Sequence, residues 1–177
     1  MRRDHPKQLP RTWLMTDARL GDALWAALER LPRGSGVVFR DYDLPPAARR
    51  ARYLAVRAVA RRRRLVLVVA GALPATGRVD GRHGRDPRRT PGLKTWPAHN
   101  VAEVISGCRA GANLIFISPV FATASHPGAR ALGRVRAMRL AALAPGRAIA
   151  LGGMDKGRFA GLGQRFIGWA AIDGWRA

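Results

Sequence analysis

Short apolar runs rich in β-branched residues recur along this chain, and they empty into polar or glycine-rich loops. The run GANLIFISPVFATASHPG, Gly111 to Gly128, does so most plainly: it delivers its C-terminal end to Ser118, Pro119, Thr123, Ser125, His126 and Gly128. Ala148 to Met154 (AIALGGM) repeats the pattern with Gly152 and Gly153, where a bare backbone can approach a ligand and turn its amides to an anion. Two such strand ends point to one phosphate site.

Eight runs read as strands: Thr12–Thr16, Gly36–Arg40, Leu65–Ala70, Arg78–His83, Leu93–Trp96, Asn113–Ser118, Arg147–Leu151 and Ile167–Ile172. Helical patterns lie between several of them, over Gly21–Leu31, Pro46–Arg63, Asn100–Ala110, Arg134–Leu143 and Lys156–Leu162. Pro46 suits a first helical turn, and Asn100 with Glu103 three residues on suits an N-cap. This alternation predicts an α/β fold of the TIM type, a (β/α)8 barrel. Ala72–Gly77 and Gly84–Gly92 are too short and too rich in Gly, Pro and Arg for full crossover helices. The barrel should therefore be shortened, with helices three and four reduced and no final helix. Such losses reconcile 177 residues with the roughly 250 typical of the architecture. The expected organisation is a basic N-terminal tail over residues 1–11 and a single domain over 12–177.

Composition removes several classes. The longest apolar run, Leu65–Leu73, is less than half of the roughly 20 residues a membrane-spanning helix needs. No signal-peptide pattern follows Arg2 and Arg3, so a cytoplasmic protein without membrane attachment is expected. Cys108 is the single cysteine, which excludes an internal disulfide. His5, His83, His99 and His126 lack the i, i+4 pairing of a helical metal site. The net charge of +21 attracts polyanions. Its arginines are spread through helices and loops without interleaved aromatics, which predicts incidental rather than dedicated nucleic acid binding.

The motifs W-L-M-T-D (Trp13 to Asp17), A-x-N-L-I-F-I-S-P-V-F-x-T and A-L-G-G-M resemble, in content and order, the thiamine phosphate synthase and TenI-like thiazole tautomerase family. The likeness runs from about Thr12 to Asp173 and is strongest in the second half. It implies chemistry at the C-terminal strand ends, where Asp17, Arg40, His83, His99, Ser118, Thr123, Gly152 and Gly153 fall. Arg40 matches the arginine of a Gln-x-Arg-x-Lys pyrophosphate grip, while Val38 and Tyr42 replace its neighbours. An ion pair to Asp41, Asp43 or Asp17 is the plainer role for Arg40. Ala70-Gly71 stands where the family has Asn-Asp, and Asp86 in G-R-H-G-R-D is the remaining candidate ligand for Mg2+. His99, in W-P-A-H-N, matches the histidine that moves the proton in the tautomerase branch; its plainer role is capping the helix at Asn100. His126 lies near the family's Thr-Lys loop, as a contact or as part of an ordinary turn. Asp173 replaces a phosphate-contacting serine, and would repel a phosphate unless a cation such as Arg176 pairs with it.

The resemblance implies first a transferase that joins an aminomethylpyrimidine pyrophosphate to a thiazole phosphate and releases pyrophosphate. In that reading Arg40 and His99 are catalytic, and Asp17, His83, Ser118, Thr123, His126, Gly152 and Gly153 bind substrate. The alternatives are a thiazole tautomerase using His99 and a degenerate barrel that only binds a phosphorylated ligand. An uncovered flank around strands three and four would suit a homodimer.

Overall fold

The computed structural model describes residues 8–72, 79–88, 91–123, 128 and 130–175. Eight parallel strands close into a barrel in chain order: β1 (Thr12–Met15), β2 (Gly36–Phe39), β3 (Val66–Ala70), β4 (Gly81–His83), β5 (Leu93–Ala98), β6 (Leu114–Ile117), β7 (Ala148–Leu151) and β8 (Gly168–Ala171). Residues 12 to 14 pair with 169 to 171, so β1 and β8 seal the cylinder. This is the expected TIM-type barrel.

Five helices form the outer layer: α1 (Ala23–Arg30), α2 (Pro46–Arg63), α3 (Val101–Arg109), α4 (Gly133–Ala142) and α5 (Lys156–Ala160). Among the described residues no helix links β3 to β4 or β4 to β5, as the Gly, Pro and Arg content of those links predicts. Beyond β8 a single 3-10 turn, Asp173–Trp175, follows. Most element ends lie within one residue of expectation, and some shift further, α1 starting at Ala23 and not Gly21. β4 spans only Gly81–His83, residue 78 lying outside the described set. β5 continues through Pro97 to Ala98, pairing Pro97 with Phe116. α5 stops at Ala160, short of Leu162.

Helix α2 starts where Pro46 supplies a preset φ in the first turn and ends at Arg64, which adopts a left-handed φ of 57°. Its buried side chains Tyr53, Val56 and Ala60 cover β2 and β3, and the Tyr53 ring meets Phe39 edge to face at 5.5 Å. The barrel interior is filled by large residues. Trp13 of β1 touches Phe116 of β6 at 5.2 Å, a contact between non-adjacent strands that must cross the lumen. Gly36 makes room for it, because a Cβ there would overlap the Trp13 ring. A packed lower barrel leaves the upper end as the place for a cavity.

Candidate active site

A cavity of about 570 Å³ opens at the C-terminal end of the barrel, and every strand contributes to its wall. Met15 comes from β1, Arg40 and Tyr42 follow β2, Gly71 follows β3, and His83 and Gly84 belong to β4 and its loop. Pro97 and His99 come from β5, Ser118, Pro119 and Thr123 from the β6 loop, Leu151 and Gly152 from β7, and Ile172 from β8. Six of the residues named from the sequence thus meet in one place: Arg40, His83, His99, Ser118, Thr123 and Gly152. Asp17 and Gly153 stand behind the wall, and His126 lies outside the described residues.

His99 leaves β5 just before helix α3. Asn100 is the N-cap, its side chain accepting from Glu103 N at 3.0 Å, so the capping role belongs to Asn100 and not to His99. Glu103 reaches back and accepts from the His99 backbone N–H at 2.7 Å. The imidazole Nδ1 lies 2.7 Å from the Ser118 carbonyl. A carbonyl can only accept, so Nδ1 carries a hydrogen, and in the neutral ring the lone pair is on Nε2. One backbone oxygen therefore sets the tautomer of a base.

His83 is a different kind of histidine. It is buried, and its ring meets Phe116 edge to face at 5.2 Å. The Thr95 hydroxyl donates to the Arg82 carbonyl at 3.3 Å and accepts from His83 Nδ1 at 2.8 Å. Burial, reinforced by the positive charge of Arg40, pushes the His83 pKa down to about 3. The ring is neutral near pH 7 and offers Nε2 as an acceptor. Thr95 was not singled out from the sequence; a lone hydroxyl between Leu93 and Trp96 was the available signal.

Arg40 adopts the plainer role left open for it. Its Nη2 donates to Asp17 at 3.1 Å and its Nε to the Thr16 carbonyl at 3.0 Å, which leaves Nη1 outside both contacts. Burial lowers its pKa from the ordinary value, while the Asp17 carboxylate opposes the shift. Asp17 also accepts from Arg19, side chain at 2.8 Å and backbone at 3.1 Å. Burial pushes the Asp17 carboxyl up, but the hydrogen bonds and charges of the two arginines outweigh it and hold the pKa below the usual range. Asp17 is an anchor for Arg40. Its negative charge opposes direct contact with an anion.

The glycine turn after β7 locks onto the β6 loop. Phe121 N donates to Gly152 O at 3.1 Å, and Val120 N to Leu151 O at 2.8 Å. Gly152 has φ of 93°, and a Cβ on it would come within 2.7 Å of Pro119 Cα. Only glycine fits. At the start of the next helix, Asp155 caps α5, accepting from Arg158 N at 2.8 Å. Asp173 opens the last 3-10 turn. The hydrogen bond from Asp17 raises the Arg19 pKa first, and the charges of Asp17 and Asp173 add to it. Arg19 is thus a cation in the field of Asp173; Arg176 lies outside the described residues.

The residues at the metal position do not suit magnesium, which takes oxygen ligands in near-octahedral geometry. At the end of β3 the Arg49 guanidinium donates to the carbonyls of Ala70 at 2.8 Å, Ala72 at 2.5 Å and Arg40 at 3.4 Å. A fixed cation occupies the end of β3. Asp86 lies in a neighbouring cavity with Arg82, Arg85 and Lys94, and one of its oxygens accepts from Arg88 N at 2.9 Å. Among the described residues no cluster of three or more His, Cys, Asp or Glu side chains could hold a metal.

Comparison with known proteins shows the fold. No family model and no curated protein sequence matches the chain. Among solved structures it is similar to a thiamine phosphate pyrophosphorylase from Pyrococcus furiosus, with a TM-score of 0.73 and 18% identity over 92% of this chain and 85% of that one. It is also similar to a structure described as native KDPGal, with a TM-score of 0.55 and 12% identity over 97% of this chain and 85% of the other. The chain therefore has a thiamine phosphate synthase-like fold.

Proposed function

We propose that this protein moves a proton on a phosphorylated thiazole, as a TenI-like tautomerase, with His99 as the acid/base group. The fixed tautomer of His99 carries the reading: Nδ1–H is held by the Ser118 carbonyl at 2.7 Å, so in the neutral ring Nε2 is the basic nitrogen of a residue that lines the cavity. A histidine so held can take a proton from a ring carbon. The electron pair left behind moves through the conjugated ring, and the imidazolium, whose proton exchanges with solvent, delivers a proton to a second carbon. No group leaves and nothing is oxidised. Thr123 and the Gly152 turn form the wall for the phosphate, and Arg40 Nη1 adds positive charge from across β2. Neutral His83 contributes an acceptor for a ligand N–H or O–H.

The test is turnover of a thiazole-carboxylate phosphate tautomer in deuterated water, followed by NMR. Tautomer conversion with solvent deuterium entering the product is expected, and His99→Ala should abolish both. Retained turnover in a folded His99→Ala protein rules the role out.

A second reading, the transferase, rests on the likeness to a thiamine phosphate pyrophosphorylase and on Arg40 lining the cavity. Thiamine phosphate formed from both precursors in the presence of magnesium would establish it. In that case Arg40→Ala should weaken the pyrophosphate substrate far more than the thiazole phosphate.

A further inference from the structure

On the barrel flank between β4 and β5, where the described residues form no helix, two cations face outward side by side. Arg82, at the centre of β4, is the register partner of Lys94 on β5. Outward positions on a parallel barrel strand ordinarily meet an apolar helix face, and like charges directly opposite one another across two strands are destabilising. Both side chains line a cavity of about 210 Å³, together with Gly71, His83, Gly84, Arg85 and Asp86.

The charges in this cavity do not cancel. Lys94 is only 6% exposed, and two of its ammonium hydrogens go to neutral acceptors, the carbonyls of Arg88 at 3.0 Å and Ala110 at 2.9 Å. Arg82 donates to the Gly71 carbonyl at 3.3 Å. Arg85 is already paired, with Glu103 at 2.8 Å. Asp86 shares the cavity, yet among the described residues no carboxylate lies within ion-pair distance of Arg82 or Lys94. The bordering stretches 73–78 (LPATGR) and 89–90 (RT) contain no acid that could supply one. The Lys94 ammonium also lies 5.8 Å from the centroid of the Trp96 ring. A buried ammonium beside a second cation, held only by neutral groups and with space in front of it, is an incomplete charge arrangement.

We propose that this flank is a binding site for a phosphoryl oxyanion, gripped by Arg82 and Lys94. The guanidinium supplies a fork matched to phosphate oxygens and the ammonium a point charge. Gly71, His83 and Gly84 line both this cavity and the active-site cavity, so the two adjoin. The group bound is either the anionic tail of a ligand seated in the main cavity or a separate anion. The site stands on these residues alone and not on the tautomerase reading.

The chain has only three lysines, Lys7, Lys94 and Lys156, which allows a residue-specific test. The intact protein, carrying 13C and 15N in its lysines, is titrated with inorganic phosphate at constant ionic strength. The Lys94 resonances should move and saturate while those of Lys7 and Lys156 stay in place. Arg82→Gln should raise the midpoint about tenfold, the worth of one charge-assisted contact. Arg82→Lys, which keeps the charge and loses the fork, should fall between and stands in if the glutamine variant does not fold. A static Lys94 signal, parallel drift of all three lysines without saturation, or an unchanged midpoint in the folded variants would overturn the site. Adding a thiazole phosphate to the phosphate-saturated protein then separates the sources: displacement of inorganic phosphate from Lys94 assigns the group to a ligand tail, and an unchanged signal assigns it to a separate anion.

Discussion

The two sides of the cavity are built by opposite means. On the β6 and β7 side, backbone meets backbone: Val120, Phe121 and Leu132 donate to Leu151, Gly152 and Pro119, and glycine permits the approach. On the β3 and β4 side, where no helix follows either strand among the described residues, arginine side chains do the joining. Arg49 holds the carbonyls of Arg40, Ala70 and Ala72, Arg82 holds Gly71, and Arg85 ties Pro97 to Glu103. Strand-end carbonyls need donors, and a guanidinium brings five of them without needing a packed helix. Part of the high arginine content thus has a structural use as staples for exposed strand ends. The side held by backbone is fixed by main-chain geometry, whereas the side held by side chains is lined with fixed cations.

The largest test of this contrast falls at His99, on β5 where the two sides join. If its ring works because the Ser118 carbonyl fixes the tautomer, His99→Ala should cost about 10²- to 10⁴-fold in tautomer turnover. Circular dichroism of the variant would confirm an intact barrel. A loss below about tenfold would mean that proton transfer does not depend on the backbone-built side.

Gly152→Val strikes the backbone-built wall directly. It combines a φ of 93° with overlap on Pro119, and should cost about 3 kcal/mol in denaturant unfolding. Gly84, on the other side, also has a positive φ, 156°, but nothing lies within 4 Å of an added Cβ. Gly84→Ala should therefore cost less than Gly152→Val, and equal costs would remove the contrast in packing.

Two buried groups on the arginine-built side and its border set opposite pH dependences. Native His83 resists protonation down to about pH 3, while an unfolded histidine takes up its proton near 6.5. The unfolded chain thus binds more protons between those values, and stability falls as pH drops through that window, by about 1.4 kcal/mol per pH unit. Between pH 6.5 and 5 this amounts to about 2 kcal/mol. His83→Asn, which keeps a donor toward Thr95 and does not titrate, should flatten that part of the profile. An unchanged slope would mean His83 is not the group responsible.

Asp41 runs the other way. Its carboxylate is buried at 3% exposure without a hydrogen bond of ordinary geometry. Burial raises its pKa, with the Arg52 charge and the Thr16 hydroxyl opposing the shift. The native state therefore binds a proton more readily than the unfolded one, and this group gains stability as pH falls. Asp41→Asn should stabilise the protein at pH 7 by about 1 kcal/mol, and a destabilised variant would show that the carboxylate is paired after all.

Much of this was legible in the residues. Six of the eight strands announced themselves because parallel barrel strands are buried on both faces and read as apolar runs; β4 and β5 carry Arg82 and Lys94 and do not. The missing crossovers showed in the Gly, Pro and Arg content of two links. Glycines 152 and 153 were found because a left-handed turn at a strand end requires that residue type. The partnerships were not legible. Arg40 had three candidate carboxylates nearby in sequence, and only the return of β1 beside β2 chose Asp17. For Arg49 and Arg82, nothing in one-dimensional spacing reveals that strand-end carbonyls lie within reach. Thr95 orients His83 from the adjacent strand, a relation set by register.

The smallest expected effect belongs to divalent metal. If the β3 and β4 side has replaced carboxylates by fixed guanidinium groups, chelation of magnesium should change tautomer turnover by less than about twofold, since no oxygen cage is there to lose. The same comparison predicts that Asp86→Asn leaves turnover alone and tightens phosphate at the Arg82 and Lys94 flank, because a neighbouring negative charge has been removed. Strong loss of turnover on chelation, restored by magnesium, would show that Asp86 is recruited as a ligand when substrate binds. The side held by arginine would then be a metal site assembled by the substrate's own phosphate oxygens, and the contrast between the two walls would belong to the empty protein alone.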